Sequence, residues 1–153
     1  MSDTLTQYHQ YADGILSQLS APNRTKLARE MAKKLRETNR KRITAQKQPD
    51  GTAFTPRKQQ KLKSKKGQIR RKMFSKIRTI KYLKINANAH SATVSFLGNV
   101  QKIAKVHQHG LRDRVNRKTE YRIVYPKREL LGINHADLMM IEQITLSHLT
   151  HHL

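Results

Sequence analysis

With 153 residues, no cysteine, no tryptophan and a formal charge of +22, this chain suits one domain and offers no thiol for a disulfide, a nucleophile or a zinc ligand. Hydrophobic residues make up 36%, enough for one modest core, and no apolar run approaches the ~20 residues a membrane helix needs. The N-terminus shows no signal-peptide pattern, so the sequence reads as a single soluble domain over residues 1–153, made in the cytoplasm.

In chain order, Leu5, Tyr8, Ala12, Ile15, Leu16 and Leu19 recur at three- and four-residue steps, which predicts a helix from about Asp3 to Leu19. Pro22 fits the first turn of a second helix, because its missing N–H costs nothing there. Leu27, Ala28, Met31, Leu35 and Ile43 carry that helix to about Ala45, with Arg29, Lys33, Arg36 and Arg40 on the other face. A connection this short predicts an antiparallel N-terminal helical hairpin. Pro49-Asp50-Gly51 marks a turn, and Pro56 opposes helix nearby. The stretch at about 46–68 is Lys-rich with few large apolar residues, and reads as a mobile basic loop. A short helix is predicted at about Gly67 to Ile77, a strand from Ile80 to Ile85 in which Ile80 and Tyr82 alternate with Lys81 and Leu83, a turn at Asn86-Ala87-Asn88, and a second strand through Ala92, Val94 and Phe96. A helix from about Val100 to His107, carrying Ile103 and Val106, precedes a basic loop from Arg112 to Lys118. Tyr121, Ile123 and Tyr125 then alternate as a third strand. The last helix starts near Asn134, an N-cap with Asp137 in the capping-box position, and shows an apolar face of Leu138, Ile141, Ile144, Thr145 and Leu149. The fold class is α+β: a helical hairpin, a small antiparallel sheet with a helical insertion, and a C-terminal helix.

Charge is concentrated in the middle. The first Lys or Arg is Arg24 and the last is Arg128, and between Gln46 and Lys84 the single acidic residue is Asp50. Arg57, Lys58, Lys61, Lys63, Lys65, Lys66, Arg70, Arg71 and Lys72 are therefore the candidate contacts for an acidic partner or a polyanion. Phe74 and Tyr82 are interleaved with this charge, either to stack on bases or to fill the core.

Several short motifs follow one another at a telling spacing. They are Gln48-Pro49-Asp50-Gly51, Arg57-Lys58, Arg70-Arg71-Lys72-Met73-Phe74, Leu83-Lys84, Val106-His107-Gln108 with Gly110, Leu111-Arg112-Asp113, and Tyr125-Pro126 through Arg128-Glu129-Leu130-Leu131-Gly132. In this order the chain resembles the phage virion morphogenesis family from Ala28 onward. One departure is Ile103-Ala104-Lys105-Val106 before the His-Gln pair, where many relatives have a bulkier aromatic. The resemblance implies a non-enzymatic α+β structural protein that completes a phage tail at its head-proximal end and joins tail to head. Its partners would be other tail or neck subunits, further copies of itself in a homo-oligomeric ring, and the packaged DNA. It would act in the host cytoplasm during assembly and then in the virion. It further implies that Gly110 and Gly132 supply positive-φ conformations, and that Arg128 and Glu129 form ion pairs within the chain or across an interface.

Other chemistries have thinner support. His107 and His109 lack a third metal ligand nearer in sequence than Asp113, so His107 and Gln108 are read as bonding to backbone at a helix end. His148, His151 and His152 have helical ligand spacing but no carboxylate, and read as a solvated end. Neither a Gly-x-Ser-x-Gly elbow nor a phosphate-binding loop occurs. No cofactor or metal is expected. The alternative function is a small basic RNA-binding or ribosomal-type protein, against which stands the confinement of positive charge between two ends free of Lys and Arg.

Overall fold

Helix α1, Ala21–Ala45, organises the chain. The computed structural model describes residues 6, 10, 13–17, 19–58, 72–116 and 118–150. Most of the predicted first helix lies outside these, but residues 13–17 are helical and turn at 19–20 into α1. Pro22 sits in the first turn of α1, as its lack of an N–H favours. The buried line along α1 is Ala28, Ala32, Leu35, Asn39 and Ile43. The spacing is the helical one expected, but the line includes a polar residue that hydrophobic periodicity passes over.

Two compact units divide the chain. One comprises Met1–Glu37, Ile85–Ser95 and Ile133–Leu153, and the other Thr38–Lys84 and Phe96–Gly132. In the first, Ala28, Ala32 and Leu35 are buried, and helix α3 (His135–Thr150) begins with a reciprocal cap. Asn134 Oδ1 accepts from the Asp137 N–H at 2.9 Å, and Asp137 Oδ2 accepts from the Asn134 N–H at 3.1 Å. Leu138, expected on the apolar face, is 55% exposed, whereas Ile141, Ile144, Thr145 and Leu149 are half-buried.

The second unit holds the larger core, with Ile43, Phe54, Met73, Ile77, Leu83, Phe96, Val100, Ala104, Val106 and Leu130 all buried. No helix forms over residues 72–81, which are bends and turns. The reason is Phe74, whose φ of 62° belongs to the left-handed region and interrupts any right-handed helix. Strand β1 is Leu83–Ala87, three residues later than the alternation of Ile80 and Tyr82 suggested. Turn bonds from the N–H groups of Tyr82 and Leu83 to the Thr79 carbonyl hold the earlier residues out of the strand. Leu83 is fully buried and Ile80 is 59% exposed, so the inward phase is the opposite of the one predicted. β1 pairs with β2 (Ala92–Phe96) as a hairpin whose turn is built on Asn88, with Oδ1 accepting from the N–H groups of His90 and Ser91.

Helix α2, Val100–His109, ends at Gly110 with φ 65°, the left-handed cap expected of a glycine. It runs two residues past the predicted end, which places His107 and Gln108 in its last turn. Strand β3 (Arg112–Arg114) pairs antiparallel with β4 (Arg122–Val124). The segment read as a basic loop thus supplies the missing partner of the third strand. The small antiparallel sheet is therefore two separate two-stranded ribbons. No described helix is long and apolar enough to cross a membrane.

Candidate functional site

The centre of the second unit is a polar knot around residues 126–132, a stretch with no helix or strand of its own. A buried extended segment must still satisfy its backbone groups. Here side-chain amides stand in for a sheet neighbour. Gln108 Oε1 accepts from the N–H groups of Leu130 and Leu131 at 2.8 and 3.0 Å, while its Nε2 donates to the Leu131 carbonyl at 2.8 Å. Gln48 Oε1 accepts from the Glu129 N–H at 3.1 Å, and Asn39 Oδ1 from the Gly132 N–H at 3.0 Å. Arg42 Nη2 closes the run by donating to the Gly132 carbonyl at 2.6 Å. The Arg128 N–H goes to the His107 carbonyl at 2.7 Å, so every backbone donor from Arg128 to Gly132 is satisfied.

Gly132 has an ordinary negative φ or extended backbone, not the positive φ expected of it. Its role is close approach, since a Cβ there would run into the Pro49 ring. Pro49 itself is placed by the tight loop after α1. Gln46 ends the helix in the left-handed conformation (φ 59°), and its side chain accepts from the Met73 N–H at 2.7 Å and donates to the Met73 carbonyl at 3.0 Å. Asp50 Oδ1 accepts from both the N–H and the hydroxyl of Thr52, which holds its carboxyl below the usual carboxylate range. The first nine residues of the predicted basic loop are thus a hydrogen-bonded turn, closed by the Phe54 N–H on the Gln46 carbonyl at 2.7 Å.

Arg128 is the second anchor. Only 4% of it is exposed, and among the described residues it meets carbonyls and an imidazole instead of the expected carboxylate. Nε donates to the Thr55 carbonyl at 2.7 Å, Nη2 to the Pro56 carbonyl at 3.1 Å and Nη1 to His107 Nδ1 at 3.1 Å. Burial, then the nearby Arg57 charge, lowers its pKa. Glu129 pairs with Lys127 instead, at 3.0 Å near the surface. The His107 ring stands edge-on between Phe74 and Tyr125, at 4.9 and 5.1 Å, and Phe74 meets Phe54 at 5.8 Å. This aromatic file holds Phe74 in its strained conformation and packs its half-buried ring between Phe54 and His107.

Burial, followed by the charges of Arg128 and Arg57, lowers the His107 pKa from 6.5 to about 4. Near neutral pH the ring is uncharged, with Nδ1 taken by Arg128, so it is poorly placed to act as a general base. The unfolded chain binds this proton near pH 6.5, whereas the folded chain resists it until about 4. Stability is therefore complete above 6.5 and is lost as pH falls through that window. The thermal midpoint is expected to decline between those values, and to decline less steeply in His107→Phe. Parallel curves for the two proteins would contradict this.

Of the candidate contacts, Arg57, Lys58 and Lys72 are exposed, while Lys61, Lys63, Lys65, Lys66, Arg70 and Arg71 lie outside the described residues. Lys72 joins Arg40, Lys41 and Arg78 around a basic cleft of about 400 Å³. Gln108, Gly110, Pro126, Arg128 and Gly132 were each legible as motif residues, but Asn39, Arg42 and Gln46 were not singled out. Asn39 did leave a signal, since it continues the spacing of Ala28, Ala32 and Leu35. No group of three His, Asp or Glu residues that could hold a metal occurs among the described residues.

Comparison with known proteins matches residues 3–150 to the phage virion morphogenesis family. The chain belongs to that family. It is 45% identical over 137 residues to "Tail completion protein S" of Escherichia phage P2, covering 89% of this chain and 91% of that protein. No solved structure matches. Membership in the phage virion morphogenesis family favours the virion-assembly expectation over the RNA-binding one.

Proposed function

We propose that this chain is a non-enzymatic structural subunit that completes a phage tail at its head-proximal end and prepares it for joining to the head. The observation that carries this reading is the likeness, over nine-tenths of both chains, to the tail completion protein of phage P2. Two features of the molecule support it. The half-buried His107 is engaged in packing and hydrogen bonds, as a structural part would be. Leu138, Met139 and Leu146 of α3 are each more than half exposed, as suits a subunit that adds to others. Copies would close into a ring by repeated head-to-tail contacts, with the basic stretch after Pro56 facing neighbouring subunits or the DNA. Assembly would take place in the host cytoplasm, and the protein would remain in the virion.

The test is removal of the gene from the phage that carries it. Filled heads and unjoined or abnormally ended tails are expected to accumulate, and purified protein to restore joining. Charge reversal of Lys61, Lys63, Lys65 and Lys66 together is expected to weaken the restoration. Unchanged virion yield and tail morphology after deletion would remove the reading.

A further inference from the structure

The ribbon of β3 and β4 contains an arrangement that the knot does not explain. Arg114 lies directly opposite Arg122. The bonds from the Val115 N–H to the Tyr121 carbonyl and from the Tyr125 N–H to the Leu111 carbonyl flank the ribbon. By alternation, Arg114 and Arg122 occupy a non-hydrogen-bonded pair, where opposing side chains come closest. Like charges placed so are destabilising. Both residues are exposed, and among the described residues neither has a carboxylate in ion-pair contact.

The two arginines line a cleft of about 760 Å³ between α2 and the ribbon, together with Lys102 and Arg112. The one carboxylate on this rim, Asp113, is already bonded to Lys102 at 3.0 Å, which keeps its pKa below the ordinary value. The cleft is not purely polar. Ile103 on one wall is 49% exposed and Val115 on the other 46% exposed, so both offer aliphatic surface to an incoming chain. Its Tyr125 ring packs edge-on against His107.

We propose that this cleft is a docking site for an acidic, partly apolar polypeptide segment of another virion protein, with carboxylates between Arg114 and Arg122 and aliphatic side chains against Ile103 and Val115. The identity of that partner as a virion protein rests on the tail-completion reading, whereas the chemistry of the cleft does not. Charge complementarity selects an acidic ligand, and the aliphatic walls select polypeptide over nucleic acid, whose sequence-independent binding uses phosphate contacts and aromatic stacking. The unrelieved arginine pair is the feature that an incoming carboxylate would neutralise.

The probe is a fluorescent 12-residue peptide of alternating Glu and Leu, titrated with the full-length protein near physiological salt, beside a labelled DNA duplex of similar charge. The peptide is expected to bind, and Arg114→Glu with Arg122→Glu to weaken it at least tenfold, while Arg29→Glu with Lys33→Glu, both on exposed positions of α1, leaves it within twofold. Both pairs are exposed or half-exposed, and circular dichroism checks their fold. A second readout needs no ligand: Arg122→Thr is expected to raise the thermal midpoint of the free protein by a degree or more. Equal weakening by both double variants, or loss of DNA binding alone, overturns the proposal. The doubly reversed gene is also expected to fail in restoring virion assembly. Should deletion of the whole gene leave assembly intact, the tail reading fails while the peptide result still stands or falls by itself.

Discussion

Arg128→Ala is expected to destabilise the protein by about 3–5 kcal/mol, from the loss of charge-assisted hydrogen bonds and of a large buried side chain. Three guanidinium nitrogens hold three acceptors, the carbonyls of Thr55 and Pro56 and the ring of His107. No other described side chain donates to those two carbonyls. Truncation would free the start of the basic segment and leave His107 Nδ1 without its donor. Arg128→Lys is expected to recover only part of the loss, because a single ammonium cannot reproduce the planar fork that spans all three acceptors. Urea unfolding midpoints at constant slope provide the measurement. An alanine variant within about 0.5 kcal/mol of the parent, the range of an ordinary surface change, would show that the knot is not a stabilising centre.

Gln108→Ala is expected to cost about 2–4 kcal/mol, since one side chain satisfies two backbone donors and one acceptor in a segment with no strand partner. Leu130 is only 1% exposed, so water has little access to its N–H once the amide is gone. Gln108→Glu makes a sharper test. It keeps an acceptor for the two N–H groups but sets a carboxylate against the Leu131 carbonyl, where Nε2 formerly donated. The Glu variant should therefore remain destabilised despite its near-identical shape. Amide hydrogen exchange gives the local readout, with Leu130 and Leu131 exchanging much faster in both variants than in the parent. Retained protection at these two positions would sink the clamp assignment.

The placement of α1 and the start of α3 were legible in the sequence because they depend on local signals. Pro22, the spacing of Ala28, Leu35 and Ile43, and the Asn134–Asp137 cap each act within a turn or two of chain. The Pro49-Asp50-Gly51 turn and the left-handed Gly110 cap were legible for the same reason. The short apolar alternations were not, since a strand's phase depends on its partner. Leu83 faces inward because the hairpin with β2 sets the register, and Arg112–Arg114 is a strand because Arg122–Val124 lies beside it.

The motif His107-Gln108 was visible as unusual, and what it does was decided by residues more than twenty positions away. Gln108 satisfies Leu130 and Leu131, Asn39 satisfies Gly132, and Arg128 reaches back to Thr55 and Pro56. Gly132 is required by the approach of Pro49, not by its own backbone angle. The sequence by itself determined the α+β class, the span of α1, the start of α3 and the family, all written in local pattern and motif order. Only the tertiary structure decided which polar side chains are buried and whom they serve, because a buried amide or guanidinium takes its partners from wherever the folded chain leaves a backbone group out of reach of water.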